Sequence, residues 1–191
     1  MMQNIQTISR HELEAKISET QIRVMQIMYI AMGVTQAAMI TVVAVFYKIG
    51  KTRPLPEEPI NTLSLKYMML ALVFAALLEY GLFIILPKLR LAMAGATFIA
   101  GNQQNTIDKI PLLLSAYRSI TIIRLALLEG VALFGIVILL LAVTQFTIYS
   151  QSAYWLCLTP SVILFAYLYL FFPTRDRVIF YIENNFLKNS N

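Results

Sequence analysis

Two glutamates, Glu79 and Glu129, carry the chemistry this chain offers. Each stands inside a long apolar run. An ionised carboxylate in hydrocarbon costs about 3 kcal/mol on insertion scales, so it turns to a bundle interior or to water and commonly serves function. Glu79 lies eight residues before Pro87, ~12 Å from that point at the helical rise. Glu129 lies five residues after Arg124, ~8 Å from it. If one helix runs down to the side from which the other returns, the two carboxyls are level. Face to face they would share a proton, the chemistry of a proton or cation pathway. The same residues also allow an inert hydrogen bond, contact of Glu129 with headgroups, or an ion pair from Glu79 to Arg124.

Other chemistry is poorly supplied. The chain has one cysteine, Cys157, and one histidine, His11. One of each makes no ordinary zinc site. They fall in different phases, Cys157 in an apolar run and His11 in a polar leader, so no Cys–His nucleophile is expected. No histidine lies in an apolar run to hold haem. There is no Gly-rich phosphate loop. The expectation is no enzyme, no cofactor and no metal. The formal net charge is +5, yet no basic stripe with interleaved aromatics marks a nucleic-acid surface. Cys157 reads as a small packing residue.

The elements that must position the glutamates follow from composition. Of the 191 residues, 59% are hydrophobic and only 13% charged, against about 25% charged in soluble domains. A hydrocarbon core about 30 Å thick needs about 20 apolar residues in a helix. Four runs qualify, over about 24–47, 65–86, 125–145 and 153–172. Backbone amides in lipid must bond internally, so these runs are helices. The fold class is therefore all-α: a polytopic membrane protein with four transmembrane helices in two hairpins, spanning 24–172.

Residues 1–23 form a polar leader without an apolar centre, unlike a cleavable signal. Ser9 and Glu12 fit a capping box, so a solvated cytoplasmic leader helix from about Arg10 is expected, with a helix running straight on into the first span as the alternative. Gln26, Thr35 and Gln36 in that span are expected to face other helices. Three prolines in 52–59 make a stiff connector. The second span ends at Pro87, and the pattern leaves 91–101 open between an interfacial segment and a continued helix. Asp108 then caps a helix with Pro111 in its first turn. Ile110, Leu113, Leu114 and Tyr117 share one face. Segment 88–124 is thus a cytoplasmic helical extension that leads into the third span, a rod of ~50 Å. Thr159-Pro160-Ser161 bends the fourth span and Pro173 ends it. The tail, 173–191, carries Val178, Ile179, Ile182 and Phe186 on one side. It reads as an interfacial amphipathic helix with Arg175, Arg177 and Lys188 at the headgroups.

Lysine and arginine set the orientation. Eleven lie in the leader, in 88–124 and in the tail; four (Lys48, Lys51, Arg53, Lys66) lie on the other side. Both termini are thereby assigned to the cytoplasm. Arg118, Arg175 and Arg177 mark that interface. Trp155, with Tyr149 and Tyr154, marks the opposite one. Spans one and three both follow an arginine, and spans two and four both end in proline and basic residues, a weak internal echo.

The run from Arg124 through Glu129-Gly130 to Phe134-Gly135-Ile136-Val137 resembles the ion-binding helix of rotary ATP synthase subunit c. That resemblance implies Glu129 as an ion carrier. The chain departs from the family in having a single glycine, Gly33, in its first span and no Arg-containing polar hairpin loop. The stretches Ser115-Ala116-Tyr117-Arg118-Ser119, Ala126-Leu127-Leu128-Glu129-Gly130 and Phe172-Pro173-Thr174-Arg175-Asp176-Arg177 are similar to small, uncharacterised bacterial four-span proteins. This resemblance implies a bacterial inner-membrane location and no activity. The expected function is a non-enzymatic accessory or scaffold subunit of a larger membrane complex. Its partners would be the bilayer and other membrane proteins or further copies of itself. The alternatives are a proton or cation pathway through Glu129 and Glu79, and a small-molecule exporter.

Overall fold

The computed structural model describes residues 17–52, 63–100, 110–182 and 184. Among these residues five α-helices follow in chain order: α1 (Glu19–Lys51), α2 (Leu63–Ala100), α3 (Ile110–Thr144), α4 (Thr159–Leu170) and α5 (Arg175–Ile182). Two 3-10 segments, Thr147–Tyr149 and Ser152–Leu158, lie between α3 and α4. Among the described residues, four segments are long and apolar enough to cross a membrane: Glu19–Lys51, Leu63–Ile85, Tyr117–Thr144 and Ser152–Leu170. The all-helical architecture with four spans is as the apolar runs require.

Contacts divide the chain into two compact units. The first gathers the start of α1, residues 84–124 and the C-terminal segment from Phe172. The second holds residues 29–83 and 125–171.

In the first unit, α1 starts at Glu19 because Ser18 caps it. The Ser18 hydroxyl accepts the Thr20 amide at 3.2 Å, and Glu19 places negative charge on the positive helix end. Ile17 and Ser18 are non-helical, so no uninterrupted helix runs from the leader into the span. Ser9, Arg10, His11 and Glu12 lie outside the described residues. The core unites Ile17, Ile22 and Met25 with Leu114 and Tyr117 of α3 and with Val178, Ile179 and Ile182 of α5. This corrects the reading of the tail. The apolar side of α5 is covered by protein, not by lipid, while Arg175 and Arg177 stay exposed. An amphipathic stripe is the same whichever apolar medium covers it, so pattern alone did not choose. Phe186 and Lys188 lie outside the described residues.

Pro87 does not end α2, which continues to Ala100. A proline removes one i to i−4 bond and strains the turn before it; the apolar, Ala-rich run beyond restores helix formation. Pro111 sits in the first turn of α3, where it loses no bond. Asp108 lies outside the described residues. The long rod is present as one 35-residue helix.

In the second unit, Val43, Leu65, Leu72, Ile136, Leu139, Ala142, Ile148, Tyr154 and Cys157 form the core. Over residues 63–85 of α2 the buried positions are Leu65, Leu72 and Glu79, each seven residues after the last, so the carboxyl lies on the same stripe as the two leucines. Pro160 does not kink an α-helix midway. Residues before it are wound as 3-10, and it occupies the first turn of α4, again where no amide is missed. Gly135 is buried, and a Cβ there would collide with the backbone carbonyl of Cys157. At the far end of α1, Gly50 leaves room for the Tyr149 hydroxyl, which donates to the Tyr47 carbonyl at 2.6 Å.

Candidate functional site

Glu79 opens onto a cleft of about 480 Å³ within the second unit. Helix α2 brings Leu72, Ala76, Glu79 and Phe83 to it; α3 contributes Leu128 and Val131; Pro160 and Tyr167 of α4 close it. The volume falls in the range of small-molecule sites, roughly 300–1,000 Å³. Its wall is almost wholly apolar. Phe83 and Tyr167 meet edge to face, with centroids 5.8 Å apart at 85°. Around the mouth stand Val73, Leu77, Tyr80, Leu156 and Ile163, all exposed. The cleft therefore opens sideways, through the apolar surface that faces hydrocarbon in a bilayer.

Glu79 itself is 8% exposed, and its Oε1 has no hydrogen-bond partner among the described residues. A buried polar atom without a partner costs about 1–3 kcal/mol and calls for an explanation.

Neither a family model, nor a curated protein, nor a solved structure matches this chain. The cleft must be read from its own chemistry.

The second glutamate is not part of it. Glu129 is half-buried, and the residues of α3 that line the cleft are its neighbours Leu128 and Val131. Successive helical side chains are turned by about 100°, so equal depth did not bring equal direction. Arg124 is half-buried and belongs to the first unit, as does Arg118, which is exposed. Arg175 is exposed, and Arg177 donates from Nη1 to the Phe172 carbonyl at 3.3 Å. Trp155 is 39% exposed and lies edge-on to Tyr47, centroids 5.2 Å apart. Tyr47 also stacks on Tyr149. Tyr154, expected with them at a water boundary, is instead buried in the core. Among the described residues, no group of three or more His, Cys, Asp or Glu is placed to hold a metal.

A second buried polar contact was only half foreseen. Gln36 of α1 is fully buried and donates from Nε2 to the Ser161 hydroxyl of α4 at 2.7 Å. Gln26 likewise turns inward and donates to the Pro173 carbonyl at 3.0 Å. Thr35 does not: it is exposed, and its hydroxyl donates back to Ala31 of its own helix. Replacing Gln36 by leucine while keeping Ser161 is expected to lower stability by about 1–2 kcal/mol, since the hydroxyl is left buried and unpaired. The double variant Gln36→Leu with Ser161→Ala should recover most of that loss. Thermal unfolding in one detergent would show it; equal melting of the single and double variants would refute the pairing.

The Tyr149 phenol lies outside the spans. Burial pushes its pKa above the ordinary 10.0, and the neighbouring Tyr47 adds to this. The folded state thus holds the proton more tightly than the unfolded chain. Its contribution is complete below the ordinary value and is lost as pH rises through the tyrosine range. Wild type is expected to lose more thermal stability between neutral and strongly alkaline pH than Tyr149→Phe. Parallel loss in both proteins would contradict this.

Proposed function

We propose that this polytopic membrane protein is a non-enzymatic component that assembles with other membrane proteins in a bacterial inner membrane, with both termini in the cytoplasm. One observation carries the assembly reading. The face of α1 opposite its buried stripe presents Ala31, Thr35 and Ala38 at the exposed surface, at spacings of four and three that align them on one side. Small residues in such a row let a second helix approach closely, which is how helices associate in lipid, where no hydrophobic force separates protein from solvent. The Thr35 hydroxyl is satisfied within its own helix, so it demands no partner from a neighbour.

Native mass measurement after gentle extraction tests this. The expected result is recovery in fixed ratio with a different membrane protein, lost in Ala38→Phe while that variant remains folded. Recovery of the chain as a lone monomer from native membrane would overturn it. The orientation assigned by the basic residues is tested separately. A cysteine placed at Ser150 of a Cys157→Ser background should react with an impermeant reagent from outside intact cells.

The proton or cation pathway is the second reading, and the buried Glu79 oxygen, without a partner among the described residues, supports it. Liposome flux should then collapse in Glu79→Gln. Undiminished flux in that variant would remove this reading.

A further inference from the structure

We propose that the Glu79 cleft is a binding site for a lipophilic organic cation, reached sideways from the hydrocarbon of the bilayer. Three observations converge on that ligand class, and none depends on the assembly reading. The first is the single acidic group. Glu79 lines the cleft, is more than nine-tenths buried, and has an oxygen with no hydrogen-bond partner among the described residues. A carboxylate in an apolar wall lacks only a positive charge, and a buried ion pair is stable only if that charge comes close. The second is the wall. Leu72, Ala76, Leu128 and Val131 offer apolar surface to the ligand body, and Phe83 and Tyr167 put aromatic rings, which attract organic cations, on the same wall. The third is the mouth. Its rim is apolar and exposed, so a ligand dissolved in lipid reaches the carboxyl without crossing water. A hydrophilic cation would have to shed its hydration in hydrocarbon to arrive. An anion would meet the carboxylate, and a neutral apolar molecule would leave Oε1 as unpaired as before.

The test is binding of tetraphenylphosphonium, a permanent cation with no proton to give, to the purified full chain in detergent by equilibrium titration. Wild type is expected to bind saturably. Glu79→Gln keeps the shape and removes the charge; a charge-assisted contact implies a loss of about tenfold or more in affinity. Ala76→Phe fills the cleft and leaves Glu79 in place; it too is expected to abolish binding, and it decides the matter if the glutamine variant does not fold. Asp176→Asn removes an exposed acidic charge in α5 and should bind as wild type. Triphenylphosphine oxide, bulky but uncharged, should bind far more weakly than the cation. The proposal is overturned if wild type shows no saturable binding, if Glu79→Gln or Ala76→Phe binds as wild type does, if Asp176→Asn loses as much, or if the neutral compound binds equally well.

Discussion

Gly135→Ala is expected to unfold at a temperature well below wild type, while Gly130→Ala does not. Both glycines lie in the middle of α3, so the helical gain from alanine, about 1 kcal/mol, is common to the two. Their surroundings differ. Around Gly130 a Cβ meets nothing within 4 Å. At Gly135 it meets a backbone carbonyl of the 3-10 segment, and a backbone carbonyl cannot turn aside as a side chain can. Overpacking of this kind costs about 1–3 kcal/mol. For a chain of this length that corresponds to a difference of about 2–12 °C between the two variants. Thermal scanning of both variants by fluorescence or by loss of monodispersity gives the comparison. Equal melting temperatures would show that the Ser152–Leu158 segment does not press on α3 at this point. Gly135→Val, with two more methyl groups and no more room, should yield no recoverable folded protein.

A comparable loss is expected for Ile179→Asp. Ile179 is 0% exposed and belongs to the core that joins the start of α1, the start of α3 and α5. An unpaired carboxyl in that position carries the cost of burial without a partner and removes the packing of the isoleucine, together about 4 kcal/mol or more. Phe180→Asp is its counterpart. That side chain is 65% exposed, and surface changes away from packed features stay within about 0.5 kcal/mol. Hydrogen exchange at the start of α1 gives a sharper readout than global melting. Ile22 and Met25 pack on α5, so their amides should lose protection in Ile179→Asp. If α5 lay on lipid through this face, the variant would lift the tail from the bilayer and leave exchange in α1 unchanged.

The spans were legible because hydrocarbon imposes a length on any apolar run, and four runs had it. Their ends were less so. Pro87 marks the end of the second span, but whether the helix stops there is not legible in the sequence: one lost hydrogen bond does not outweigh the helical tendency of the residues on both sides. At Pro160 the sequence shows the interruption but not its form: the chain changes winding before the proline, and no sequence rule distinguishes that from a bend. The site shows the same division. A buried carboxyl at Glu79 followed from its type and depth, and the seven-residue spacing from Leu65 through Leu72 already put it on one stripe. Which way Glu129 points depended on a rotation of about 100° per residue, and counting depth along the axis discards that angle. The cleft needed three helices at once. Its lining residues, apart from Glu79, are ordinary membrane side chains that no spacing sets apart.

The winding of the fourth segment also settles a question of reach. Nineteen residues in a uniform α-helix extend about 28 Å, short of a hydrocarbon core about 30 Å thick. Seven of these residues, Ser152–Leu158, are wound as 3-10, which climbs about 2.0 Å per residue instead of 1.5. With the twelve residues of Thr159–Leu170, the segment then extends about 32 Å, enough to cross without tilting partners or a thinned bilayer. The tighter coil is thus a lengthening device. A chain with few residues to spare between its last turn and Pro173 gains in height what it gives up in hydrogen-bond geometry.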